Sequence, residues 1–165
     1  LDDNSDNTIF DWTLSVATGE IYASRASSVT WTSVNCSNET FLNQENANLN
    51  HTNPSDNITN TFNVTGNLSG DIQHWGFNIG EIEINNGTCP TIATYNYTTA
   101  SKSQNTFFHE VALYDSTNNN TIYATKIENS SRSFDNNTYD FQMIVPENGL
   151  STWTSSTAYY LYIEI

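Results

Sequence analysis

The chain has 165 residues, enough for one domain with a sizeable core. Only 4 residues are Lys or Arg against 18 Asp or Glu, and the resulting net charge of −14 excludes the basic patches that hold nucleic-acid phosphates. No apolar run approaches the roughly 20 residues of a membrane span, and 25 Asn, 23 Thr and 18 Ser leave a surface solvated mostly by neutral amides and hydroxyls.

The first predicted strand covers 8–17. In "TIFDWTLSV", Phe10, Trp12, Leu14 and Val16 fall on one face, and Asp11, Thr13 and Ser15 on the other. It stands behind only the polar lead "LDDNSDN", with no apolar leader, which predicts a mature secreted chain after signal-peptide removal. Short strands follow at 20–24 and 28–34. The polar insertion 35–57 reads as a surface loop with room for one short helix at 40–48.

Alternation resumes in "NITNTFNVT" and predicts a strand over 58–65, with Ile58, Phe62 and Val64 on one face. A longer strand is predicted over 71–84. In "FNIGEIEI" the apolar phase changes at Gly80, as a β-bulge there would require. Further strands are expected at 91–98, 106–114, 120–128 and 138–145, the last with Tyr139, Phe141, Met143 and Val145 inward. The final strand, 157–165, alternates Tyr159, Leu161, Ile163 and Ile165 with Tyr160, Tyr162 and Glu164. No stretch sustains a 3.6-residue period. The expected fold class is therefore all-β, an Ig-like or pilin-like β-sandwich of about ten short strands.

Two cysteines, Cys36 and Cys89, form an even count that in a secreted chain suggests a disulfide. Closing a loop of that size contributes about 4 kcal/mol by chain entropy. Two buried free thiols are the alternative at this stage. A lone Cys pair with no nearby His does not make a metal site.

The motif N-x-[ST] occurs eleven times, at Asn35, Asn38, Asn50, Asn57, Asn63, Asn67, Asn86, Asn96, Asn119, Asn129 and Asn136. Random placement of the same residues yields about six. That excess predicts a heavily N-glycosylated extracellular protein, with covalent glycans and no other cofactor.

Catalytic motifs are missing from the sequence. His51, His74 and His109 lack metal-ligand spacing, and "GNLSG" is not a nucleophile elbow. Glu81 and Glu83 share a strand face that reads as solvated rather than as a glycosidase pair. Lys126 would form an isopeptide with an Asn or Asp only if buried. An enzyme is not expected.

A sandwich lacking a strand exposes a groove and unpaired edges, and a neighbour's extended segment fills such a gap. The donor must be extended, amphipathic at period 2 and near a chain end, as residues 8–16 are. Burying Phe10, Trp12, Leu14 and Val16 would stabilise the contact by roughly 6–12 kcal/mol before the costs of association. Residues 1–17 then form a donor tail and 18–165 a head. The expected acceptor positions are inward ones beside the C-terminal strand and include Leu161 and Ile163.

On these residues the chain resembles the pilins joined by donor-strand complementation, most closely the archaeal thread-filament subunits. The likeness rests on "TIFDWTLSV", the crowded sequons, the all-β body and the terminal "YYLYIEI". It implies a glycosylated extracellular homopolymer of identical subunits joined head to tail, supporting adhesion to surfaces or other cells, with no nucleic-acid partner and no membrane span. Type 1-like pilins often carry an intradomain disulfide, which Cys36 and Cys89 would mirror. Archaeal type IV pilins, by contrast, begin with a long apolar helix that this chain lacks. The Asn, Thr and Tyr bias also suits an acidic medium, because amides stay solvated when carboxylates protonate. The alternative is a monomeric glycosylated cell-surface or viral ectodomain that binds carbohydrate through Trp75, Trp153, Tyr95 and Tyr97.

Overall fold

The computed structural model describes residues 16–62, 73–94, 108–133, 135–147 and 156–165. The chain forms antiparallel sheets with few helices, as the all-β expectation required. In order the elements are β1 (Glu20–Ser24), a 3-10 turn (Trp31–Ser33), β2 (Val34–Cys36), α1 (Glu39–Asn48), α2 (Ile58–Phe62), β3 (Phe77–Ile79), β4 (Ile82–Ile84), β5 (Thr91–Ala93), β6 (His109–Asp115), β7 (Asn120–Lys126), β8 (Ser131–Arg132), β9 (Thr138–Tyr139) and β10 (Tyr160–Glu164).

The main sheet runs β10-β1-β7-β6-β2, and β5 also pairs with β6. Strands β2 and β5 divide the outer edge of β6 between them: Val34–Cys36 lie opposite Asp115–Leu113, and Thr91–Ala93 opposite Val111–His109. Ala112 stands at the junction, its carbonyl accepting from the Ser37 N–H and its N–H donating to the Pro90 carbonyl. The predicted disulfide is present at this same junction, with Cys36 and Cys89 Cα atoms 4.8 Å apart. Beside it, the Nε2 of buried His74 accepts from the Cys89 N–H at 3.0 Å, so its Nδ1 carries the proton and donates to the Trp75 carbonyl. Burial holds the His74 pKa down and keeps the ring neutral.

Both faces of the sheet are covered. On one, Tyr22, Val34, Val111, Leu113, Ile122 and Ala124 pack against Phe77, Ile79 and Ile84 of the β3–β4 hairpin. On the other, Ala23, Ala112 and Tyr123 pack against Leu42 and Leu49 of the α1 region and Ile58 and Phe62 of α2. Period-2 alternation thus separates two cores here rather than core from solvent.

Three expectations are corrected. Residues 58–62 form helix α2, not a strand, because the Asn57 side chain accepts from the Asn60 N–H and caps the turn. Ile58 and Phe62, four apart, then share one buried face. The predicted 71–84 strand is a hairpin over its described part: Gly80 takes φ +57° between the partners Ile79 and Ile82, so the phase change marks a reversal of direction and not a bulge. Finally, Tyr139 is exposed, whereas Phe141, Met143 and Val145 do pack inward, from a segment outside any strand.

Helix α1 fits the predicted 40–48 segment, but its inward face is largely polar. Glu45 accepts two hydrogen bonds from Arg25 at 2.6 and 2.7 Å. Asn46 ties α1 to α2 by accepting from the Ile58 N–H and donating to Thr59. Near them Glu110 is fully buried, with Oε2 accepting from the Ile144 N–H at 2.7 Å and Oε1 unpartnered among the described residues. Burial raises its pKa from 4.5 to about 8. Tyr123 and Tyr159 interact electrostatically with it, and both also interact with the Arg25–Glu45 pair.

A group whose folded pKa exceeds its unfolded value contributes stability that is complete below pH 4.5 and is lost as pH rises through about 8. The expected result is a fold more stable at pH 5 than at pH 8, by up to about 4 kcal/mol from this carboxyl. Denaturant melts across that range check it, and Glu110→Gln should remove most of the difference.

Candidate functional site: an open sheet edge

Strand β10 closes one side of the main sheet. It pairs with β1 from Tyr160 opposite Ser24 to Glu164 opposite Glu20. Among the described residues no strand pairs with its other side. An edge of this kind presents a row of free N–H and C=O groups to any extended chain that approaches.

One face of β10 is anchored. Tyr162 stacks edge-on against Trp31 at 5.1 Å and donates its hydroxyl to the Ala26 carbonyl. The Tyr22 hydroxyl donates to Glu164 at 3.1 Å. On the other face Ile163 is half-buried against Ala17, Ile21 and Ile127, while Leu161 and Ile165 are 46% and 56% exposed. Three apolar side chains on one face of this edge, one covered and two bare, outline a seat for another apolar segment. Of the two expected acceptor residues, Leu161 is therefore accessible and Ile163 lines the adjoining core.

The segment leading into β1 meets this edge at its far end. Gly19 has φ +144°, and a Cβ there would lie 1.9 Å from the Glu164 carbonyl oxygen. Its own carbonyl accepts from the Ile127 N–H at 2.9 Å. The chain therefore passes tightly beside the end of β10 before entering β1. Ala17 is buried, and Val16 beyond it is 54% exposed. Phe10, Trp12 and Leu14, the other donor residues read from the sequence, lie outside the described residues.

Glu20, at the start of β1, accepts from the Trp75 indole N–H at 3.0 Å and faces Glu164 and Lys126 across the strands. Burial, with some help from Glu164, raises its pKa. Trp75 is also packed on Phe77, so it is engaged in the fold rather than free to stack on a sugar. Trp153, Tyr95 and Tyr97 lie outside the described residues. The Lys126 side chain is 43% exposed and pairs with Glu128 at 3.2 Å, without the burial that isopeptide formation requires.

Eight of the eleven sequons fall on described residues; Asn35, Asn38, Asn50, Asn86, Asn119, Asn129 and Asn136 are exposed and Asn57 is half-buried. Asn63, Asn67 and Asn96 lie outside them. At Asn38 and Asn119 the fold uses the amide oxygen, which accepts from the Phe41 N–H and the Tyr114 hydroxyl respectively.

No group of three or more His, Cys, Asp or Glu among the described residues could hold a metal ion. No described helix is long and apolar enough to cross a membrane. Comparison with known proteins finds no matching family model, no similar curated protein and no similar solved structure.

Proposed function

We propose that this chain is the structural subunit of an extracellular, thread-like filament, in which residues 8–16 of one copy pair with the open edge of β10 in the next. The observation that carries the reading is the β10 edge itself, unpaired among the described residues and bearing exposed Leu161 and Ile165. The sequence supplies a segment of matching character in Phe10, Trp12, Leu14 and Val16. In this reading the main sheet gains a strand from the neighbour, and residues 1–17 act as donor tail to an 18–165 head.

Such a contact is heterologous, and unless it closes into a ring it grows as a filament. Exposure of seven described sequons supports glycosylation, because a glycan must sit outside the fold. At Asn38 and Asn119 the amide nitrogen makes no hydrogen bond among the described residues and is the atom a glycan would occupy. The disulfide supports an oxidising, extracellular setting. The same features suit a role in adhesion or biofilm structure rather than catalysis.

Removing residues 1–17 tests the reading. The truncated chain should remain monomeric in negative-stain micrographs and should bind a synthetic 8–16 peptide, gaining thermal stability. Trp12→Ala in that peptide should weaken binding at least tenfold, since a buried aromatic contributes about 1.5–3 kcal/mol. A truncated chain that still forms filaments, or that ignores the peptide, would sink the proposal. Glycan-array binding by an intact monomer would favour the carbohydrate-binding ectodomain instead.

A further inference from the structure

The sequons are distributed unevenly. All eleven lie between residues 35 and 136, and neither 1–34 nor 137–165 carries any. In the fold the described parts of these two sequon-free stretches come together. Strand β1 belongs to the first and β10 to the second, and they pair along their full length. Phe141 and Met143, also from the second, pack with Ala17, Ile21 and Ile163.

The two edges of the main sheet differ accordingly. The far edge is split between β2 and β5, each three residues long, which are tied by the disulfide. Asn35 is exposed in the middle of β2, and Asn38 follows two residues after its end. Short strands and a bulky polar group both blunt an edge. The near edge, β10, is five residues long, has no sequon, and exposes Tyr160 and Leu161, with Ile165 exposed just past its end.

From these facts we infer that the sequon-free side, centred on β10 and the start of β1, is an interaction face for a second copy of this chain, and that carbohydrate on the remaining surface confines association to it. The inference rests on the filament reading, since the occupant is residues 8–16 of the neighbour. It adds a direction: the sheet accepts a strand at β10 and refuses one at β2.

The test places a sugar where none belongs. Ser156→Asn with Ala158→Thr creates a sequon at two exposed positions just before β10. Glu81→Asn with Glu83→Thr creates one on the β3–β4 hairpin, within the decorated region, as the control. Both are produced in a glycosylating host, with occupancy read by intact mass and assembly by sedimentation and electron microscopy. Assembled material should fall at least tenfold for the first pair, recover on enzymatic deglycosylation, and stay at the wild-type level for the control. Leu161→Lys, which needs no glycan, should reduce assembly as strongly. Undiminished assembly of the glycosylated Ser156→Asn/Ala158→Thr chain, or of Leu161→Lys, overturns the inference while leaving a filament in place. A wild-type chain that never assembles overturns the filament reading and the inference together.

Discussion

Replacing Gly19 by alanine is expected to destabilise the fold by at least about 3 kcal/mol, because two penalties coincide at that position. The backbone φ of +144° is one that L-residues rarely adopt, and the new Cβ would fall 1.9 Å from the Glu164 carbonyl oxygen, a backbone atom with no flexible end to give way. Relief requires the end of β10 to separate from β1. Gly80 supplies the comparison: its φ is +57°, but nothing lies within 4 Å of where a Cβ would go. Gly80→Ala should therefore cost about 1 kcal/mol, from backbone conformation alone. Denaturant titration of both variants measures the difference. Equal losses would show that the Gly19–Glu164 approach contributes nothing beyond strain.

The second large effect is expected at Asp115, which ends β6 and holds the β6–β7 turn. Its buried carboxylate accepts from the Ser33 hydroxyl at 2.6 Å, the Asn118 side-chain amide at 2.7 Å, the Thr30 N–H at 2.8 Å and the Thr117 N–H at 3.0 Å. Burial alone would push this carboxyl up, but the hydrogen bonds from Ser33, Thr30, Asn118 and Thr117 outweigh it and bring the pKa from 3.8 down to about 2. Asp115→Ala takes a shared acceptor from the half-buried Thr30 and Ser33 and the exposed Thr117 and Asn118, and should cost about 3 kcal/mol. The charge has its own signature. With a folded pKa below the unfolded one, its contribution is complete above pH 3.8 and disappears as pH falls through about 2. Acid unfolding followed by circular dichroism should show a limb in that window that flattens in Asp115→Asn. A limb unchanged in that variant would place the acid sensitivity elsewhere.

Much of the sheet was legible because its strands are runs rich in Ile, Val, Tyr and Thr bounded by Asn, Gly, Ser and Asp. The readings 20–24, 120–128 and 157–165 correspond to β1, β7 and β10 within a few residues. The disulfide followed from an even cysteine count. What could not be read was the layer that α1 and α2 lay over one face. Helix α1 turns Glu45 and Asn46 inward along with Leu42, so its buried side has no apolar period to detect. Helix α2 is five residues long, and Ile58 and Phe62 satisfy a strand's period as well as a helix's. The arbiter there is the Asn57 cap, a local hydrogen bond that alternation does not register. At the candidate site, Leu161, read from the sequence as an inward position, is exposed. The sequence did not signal that Gly19 sits against Glu164, since that contact joins residues at opposite ends of the chain.

The pairing of β1 with β10 also has a mechanical consequence. In a filament built as proposed, tension enters each molecule through the strand laid on β10 and leaves through the segment that precedes β1. Strands β10 and β1, which carry these two attachments, are immediate neighbours in register. The pull is thus handed from one copy to the next across a single strand pair, and the helices, the hairpin and the cystine lie off its line, shielded from stretching.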